Sequence, residues 1–430
     1  MANDPLHILL ICPKFPYPKV DGGAIAMYNM MRGFHDAGVE VSVLGMSTPK
    51  HPVMIRDFPP HIRELANLHA IDVDTTPRPI DALASFAFSK TKSYHVQRFT
   101  SKAFKEELKF MLDENRYDVI QLETLYMLPY IETIKSHCAA KDHPNRNVLI
   151  SYRAHNIEHE IWKRRAQNEK RPWMHYLYAE TARRIERFER KQLEAGEFHV
   201  LVPITGRDGK QMKSLGCERP FQATVSGVIM DEVEKFEVKP EIPSVFYLGS
   251  LDWEPNKEGL RWFLKFVWPI VHRRYPHVPF YIAGRKMPNE FLQLKKQNIR
   301  PLGEVESAAK FMQEKGIMVS PIFSGSGMRI KIIEGMSHGK PIVATRVAKE
   351  GIEKIYHGNQ MMIADTVEDF ANCLSILIED PNLARTLGIH ARNAIKKQFD
   401  NKQHIGSLLK FYQDQINKRE SDDADKKSDN

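Results

Sequence analysis

Residues 321–352 read PIFSGSGMRIKIIEGMSHGKPIVATRVAKEGI. The order is the end of a strand, a Gly/Ser loop, a helix and a second buried strand. The loop is Ser324-Gly325-Ser326-Gly327. The pattern predicts a helix from Gly327 or Met328 to His338, with Gly339 as its stop signal. A small-residue loop feeding a helix N-terminus is an anion site, because its N–H groups are unpaired and the helix dipole adds positive charge. Arg329 and Lys331 add formal charge in the first turn. Cations there oppose the dipole, so the arrangement makes sense with an anion between them. Glu334, one turn further in, is placed to accept from sugar hydroxyls. The alternative is a solvated first turn with a Lys331–Glu334 pair, worth a few tenths of a kcal/mol.

Working outward, the same strand–loop–helix alternation runs along the chain. Residues 6–12 (LHILLIC) are a continuous apolar run, as in a parallel strand buried on both faces. A Pro-rich loop (PKFPYPKVD) follows, then Gly22-Gly23 open an amphipathic helix to Ala37, and residues 39–45 form the next strand. This βαβ unit demands a parallel sheet. Further strands are predicted at 68–73, 117–122, 147–152 and 198–203. Helices are predicted over 94–115, 124–138 and 158–194. A second alternating set starts at 245–248, with a helix over 256–272 and strands at 278–283, 299–302, 317–320 and 361–363. Helices fill 367–399 and 403–417.

The predicted organisation is an N-terminal domain over 1–228, a linker over 229–243 and a C-terminal domain over 244–399. A terminal helix over 400–417 is placed to return to the first domain, and a charged tail over 418–430 is expected to be disordered. Ligands of such sheets bind outside the carboxyl ends of strands. The loops at 13–23, 153–155, 249–256, 284–286 and 324–327 all fall there.

Composition narrows the function classes. An apolar fraction of 42% is that of a globular protein. No run reaches the roughly 20 apolar residues of a membrane span, and residues 1–16 carry no basic leader pattern. The four cysteines lack C-x-x-C spacing, which suits a reducing cytoplasm and argues against structural zinc. A formal charge of +8 points to anionic partners. Nucleic-acid signatures are absent, so no nucleic-acid partner is expected. No G-x-G-x-x-G follows the first strand, which argues against a plain dinucleotide-binding enzyme.

Five segments in this order carry a resemblance: PYPKVDGGAIAMYNMMRGFHDAGVEVSVL, the His155 loop, YLGSLDWEPNKEGLRWFL, FYIAGRK and GSGMRIKIIEGMSHGKPIVAT. Together the chain resembles glycosyltransferase family 4. That resemblance implies the α/β GT-B fold, two Rossmann-like doubly wound parallel-sheet domains facing an interdomain cleft. It implies a retaining transferase that needs no metal or other cofactor. The donor would be a nucleoside-diphosphate sugar and the acceptor a glycan or lipid-linked hydroxyl.

Carried over residue by residue, Gly22 and Gly23 resemble the glycine loop that approaches donor diphosphate and acceptor, where a Cβ would block approach. Asp21 is adjacent and a candidate for acceptor contact. His155 resembles the histidine beside the transferred sugar, with Glu158 and His159 as neighbours. Arg329 and Lys331 resemble the basic pair on the diphosphate, and Met328 lies in the same turn. Glu334 matches the second glutamate of the E-x7-E motif, the ribose ligand; the first would fall at Ser326. Sugar recognition is then expected from the backbone and hydroxyls of Ser324, Gly325, Ser326 and Gly327. Ser250 stands where many members have arginine, with Arg285 as the candidate substitute and Asp252, Trp253 and Asn256 as marks of a subgroup.

Residues 162–191 are basic and aromatic-studded, the pattern of peripheral contact with an anionic inner membrane face or of a solvated helix face. Two rivals from other classes are a GT-B nucleotide-sugar epimerase and a catalytically silent nucleotide-sugar-binding module, the latter suggested by Ser326.

Overall fold

A computed structural model describes residues 5–76, 93–169, 171–225, 227–230, 233, 240–324 and 328–428. The chain divides into two compact units, one of residues 1–227 with 401–430 and one of residues 228–400.

The first unit holds strands β1 (His7–Cys12), β2 (Glu40–Ser47), β3 (Asn67–Asp72), β4 (Val119–Glu123), β5 (Leu149–Ala154) and β6 (Val200–Pro203). They pair in parallel in the order β3-β2-β1-β4-β5-β6. Burial on both faces explains the unbroken apolar runs: Leu9, Ile11, Ile120, Leu122 and Ile150 sit in one core with at most 2% exposure. The chain reverses its winding between β1 and β4. That makes the loops after these two strands the place where a ligand fits.

The second unit repeats the plan with β7 (Glu241–Leu248), β8 (Phe280–Ala283), β9 (Ile299–Gly303), β10 (Lys315–Ser320), β11 (Ile342–Ala344) and β12 (Met362–Ile363). Their order is β12-β11-β10-β7-β8-β9. Counted from β7, this is the same doubly wound order, so its reversal lies between β7 and β10. Val245, Tyr247, Val319 and Val343 centre its core.

Several helix predictions are corrected by local chemistry. The predicted 158–194 helix is two, Glu158–Asn168 and Pro172–Ala195. Pro172 lacks an N–H and is suited to a helix's first turn, not to its interior. The predicted 94–115 helix divides into Tyr94–Gln97 and Lys102–Glu114, the second capped by Ser101. The helix of the opening stretch starts at Ile330 and runs to Ser337, so Arg329 is its N-cap. The terminal helix begins at Asn401 and continues to Ser428, beyond the predicted end at 417. Its last residues are mostly charged, and a helix already started extends one residue at a time without a new nucleus.

Candidate functional site

In the second unit, the residues after β7 and those after β10 are forced together. Gly259 lies in the helix Glu254–Trp262, and a Cβ there would sit 1.6 Å from the Pro321 carbonyl oxygen. Only glycine allows that approach. It carries Asn256, one turn earlier, to the helix Ile330–Ser337. Lys331 Nζ donates to Asn256 Oδ1 at 2.9 Å, and Asn256 Nδ2 donates to the Ser250 carbonyl at 2.8 Å. The ammonium lies 4.7 Å from the centre of the Tyr247 ring. The Arg329 guanidinium lies 5.2 Å from that of Trp253.

The Lys331 ammonium is thus held by a neutral amide oxygen and an aromatic face, with the Arg329 guanidinium beside a second ring. Burial, with the charge of Arg329, lowers the Lys331 pKa to about 7. A site that makes ammonium ionisation this costly is one that an anion would complete. Glu334 is half-buried on the same helix. The Ser250 hydroxyl donates to Asp252 Oδ1 at 2.6 Å, so in this arrangement its proton is committed to a neighbour. The Arg285 carbonyl accepts from the Leu251 N–H at 2.9 Å, tying the two loops. Ser324 Oγ donates to Glu258 Oε2 at 3.2 Å, and Met328 packs against Gly351. Gly325, Ser326 and Gly327 lie outside the described residues, so the expected backbone and hydroxyl contacts to a sugar lie there too.

In the first unit a cavity of about 790 Å³ opens at the β1/β4 reversal. Its wall includes Lys14, Asp21, Gly23, His51, Thr124, Tyr126 and His155. Asp21 caps the helix Gly22–Asp36, accepting the Ala24 N–H at 2.9 Å, and holds the Lys14 ammonium. Burial acts to raise its pKa, but Lys14 and the Ala24 N–H outweigh it and hold the carboxyl at about 2. A carboxylate so engaged is a cap and a counter-ion, and as a general base it would be weak. A Cβ on Gly23 would lie 3.0 Å from Lys14 Nζ, so glycine keeps room for that ammonium. Gly22 opens the same helix.

His155 follows β5 and meets a buried ion pair. Glu123 and Arg153 are partners in the β4–β5 register, with Arg153 Nη1 donating to Glu123 Oε2 at 3.0 Å. His155 Nε2 lies 2.5 Å from the same carboxylate oxygen. A carboxylate only accepts, so Nε2 carries the proton and Nδ1 keeps its lone pair. Burial lowers the His155 pKa despite Glu123, which favours this neutral form. Burial also acts to raise Glu123, yet Arg153 and His155 hold it at about 2. Behind it, Gln121 Nε2 donates to Glu123 Oε1 at 2.5 Å, and Tyr412 OH donates to Gln121 Oε1 at 2.5 Å. The terminal helix therefore anchors the histidine through a chain of hydrogen bonds.

Several of these partners escape a reading by motif. Glu123 and Gln121 sit inside an apolar strand. Their alternation with Ser151 and Arg153 on the neighbouring strand was the available signal. Thr124, at the end of β4, has φ 76°, a costly conformation for a β-branched residue and one that clusters at functional turns. Glu158 and His159 are buried around Glu189, with Tyr126 OH donating to Glu158 at 2.9 Å.

Residues 242–380 match the family described as Glycosyl transferases group 1. Over 345 residues the chain is 24% identical to an uncharacterized 44.6 kDa protein in the cps region of Klebsiella pneumoniae, covering 74% of this chain and 84% of that relative. Among solved structures it is similar to sucrose-phosphate synthase from Thermosynechococcus elongatus, with a TM-score of 0.64 and 15% identity over 95% of this chain and 98% of that one. It is also similar to the pneumococcal O-GlcNAc transferase GtfA in complex with UDP and GlcNAc. There the TM-score is 0.61 and the identity 11%, over 96% of this chain and 99% of that one. Anabaena HepE in complex with UDP gives a TM-score of 0.60 and 12% identity, over 95% and 100% of the two chains. The fold is GT-B, with two Rossmann-like units. Fold and group 1 domain together support a GT-B glycosyltransferase.

Proposed function

We propose that the protein is a retaining, metal-independent glycosyltransferase of the family 4 type. It moves a sugar from a nucleoside-diphosphate sugar to a glycan or lipid-linked hydroxyl. The observation that carries this reading is the Lys331–Asn256–Arg329–Trp253 cluster at the β7/β10 reversal, inside the segment that matches the group 1 domain. Two neighbouring cations, one of them held by a neutral amide oxygen and a ring, suit a diphosphate. As the glycosidic bond breaks, negative charge builds on the leaving phosphate, and these cations stabilise it where other enzymes use a metal ion. Glu334 takes the ribose hydroxyls. UDP in the HepE and GtfA structures, and the cps region of the Klebsiella relative, support the substrate class.

The first unit's cavity takes the acceptor. Neutral His155 accepts a hydrogen bond from a sugar hydroxyl through Nδ1. The leaving phosphate itself receives the acceptor proton, so no separate carboxylate base is needed. Among the described residues no helix is long and apolar enough to cross a membrane. Trp173, Tyr176 and Leu177 are exposed on the helix Pro172–Ala195, near Arg171. These residues support peripheral contact of a cytoplasmic enzyme with an anionic membrane face.

The test is a panel of UDP-, GDP-, ADP- and dTDP-sugars incubated with EDTA and candidate acceptors. One donor should release its nucleoside diphosphate without added metal, and NMR should show the product with the donor's anomeric configuration. Release that depends on a divalent metal, or an inverted product, would overturn the corresponding part of the proposal.

A further inference from the structure

The first unit's cavity has an uneven charge lining. Among the described residues Lys14, Lys50 and Arg98 face it, against Asp21 as the one lining carboxylate. Asp21 is already engaged by Lys14. Arg98 and Lys50 have no carboxylate partner among the described residues, and Arg98 Nε is buried without a hydrogen-bond acceptor. A buried guanidinium N–H with no acceptor is costly, and such groups call for an explanation. The guanidinium carbon lies 5.2 Å from the centre of the Phe99 ring, and Phe99 stacks on Tyr126 at 4.7 Å. All three line the cavity. His51 and His155 line the same wall. Glu158, which meets Tyr126 from behind, is pushed up to about 7 by burial and by Glu189.

Aromatic faces beside a fork of N–H donors form a defined recognition pattern. An oxyanion can complete Arg98, beside the lining rings of Phe99 and Tyr126. Lys50, exposed at the rim, adds long-range attraction. We infer that this cavity recognises an acceptor carrying an oxyanion, a phosphate monoester or a carboxylate, close to the hydroxyl that receives the sugar. The inference rests on the cavity being the acceptor side of the glycosyltransferase proposed above. It goes beyond that reading by naming the acceptor's charge.

The experiment measures ligand-induced thermal shifts of the full chain with a hexose monophosphate, glucuronate, neutral glucose and inorganic phosphate. Each is tested with wild type, Arg98→Gln, Arg98→Lys and Lys50→Gln. Lys331→Ala is included so that phosphate bound in the second unit is recognised by its loss there. The expected result is binding of one or both anionic sugars at least tenfold tighter than glucose, kept in Lys331→Ala. Arg98→Gln should lose it by at least tenfold, Arg98→Lys should restore part of it, and Lys50→Gln should weaken it severalfold. The nucleotide-induced shift should be the same in wild type and both Arg98 variants. Equal binding of neutral and anionic sugars, or anionic binding unchanged in Arg98→Gln, overturns the inference. Anionic binding lost only in Lys331→Ala also overturns it, by assigning the anion to the second unit. A missing nucleotide shift in wild type would count against the glycosyltransferase reading itself, separately from the acceptor's charge.

Discussion

Arg153 and Lys331 are cations near the carboxyl ends of the two parallel sheets, the first buried and the second half-buried, and they are neutralised in opposite ways. Arg153 has a full carboxylate, Glu123, paired across adjacent strands and shared with His155. Lys331 has the neutral oxygen of Asn256 and the face of Tyr247. Two sheets with the same strand order thus carry different electrostatics near their carboxyl ends. A cation matched by its own carboxylate has its charge balanced in the unliganded protein and serves to orient its neighbour. A cation resting on dipoles and rings keeps capacity for an incoming anion. The contrast distinguishes a group that positions from one that binds, without any ligand in view.

The largest effect should come from breaking the balanced pair. Glu123→Leu leaves Arg153 buried without its carboxylate and should cost about 3–5 kcal/mol, read by urea denaturation. Glu123 is held at about 2 against an ordinary 4.5, so its stabilisation is present above about 4.5 and is lost as pH falls toward 2. Glu123→Gln should therefore flatten the acid limb of the stability curve. An unchanged limb would mean that the pair contributes nothing net.

Next in size is the binding cation. Each charge-assisted hydrogen bond to phosphate is worth roughly 1.5–3 kcal/mol, so Arg329→Ala should weaken nucleoside diphosphate binding about ten- to hundredfold. Its effect on the unliganded fold should be small beside that of Glu123→Leu. If Arg329→Ala bound as tightly as wild type, the guanidinium over Trp253 would be packing alone.

How much of this was legible in the sequence follows from the same contrast. The strand 6–12 and the Gly22-Gly23 helix declare themselves through apolar runs and glycines, which depend on local order only. Arg329 and Lys331 are readable because a small-residue loop precedes them. The partner that defines Lys331 is not readable so directly. Asn256 meets it because Gly259 lets one helix close on Pro321, 62 positions away in the chain. Glu123 looks like part of an ordinary strand until β4 and β5 are paired and Arg153 falls opposite it. The helix end at Ser428 was missed for another reason: charged residues stop packing, but they do not stop a helix. Gly325, Ser326 and Gly327, the positions expected to face the sugar, lie outside the described residues, so the Ser326 departure stands as the sequence alone presents it.

A smaller effect sharpens the comparison through protons. Lys331 sits at about 7 against an ordinary 10.5. Between these values the unfolded chain carries the proton and the folded one does not. The stability penalty is therefore complete below about 7 and fades as pH rises toward 10.5. A bound diphosphate would restore the charge, so binding at pH 8 should take up a proton. Calorimetry in buffers of different ionisation enthalpy reads this uptake, and Lys331→Ala should abolish it. Uptake that persisted in the variant would move the titrating group elsewhere.

The smallest expected change is Tyr412→Phe. It removes the hydroxyl that donates to Gln121 and lies 2.8 Å from Ser151 Oγ, at about 1 kcal/mol of stability. Because the chain of bonds ends on His155, turnover should fall while nucleotide affinity stays the same. A fall in nucleotide affinity would break the proposed division of labour.

The central claim is that the Lys331 cluster holds the diphosphate of the donor without a metal. Calorimetric titration of wild type and Lys331→Ala with UDP, GDP, ADP and dTDP in EDTA tests it most directly. The account predicts that at least one nucleotide binds wild type and that the variant binds it at least tenfold more weakly. Equal binding by the two proteins, or no binding by wild type until a divalent metal is supplied, would contradict it.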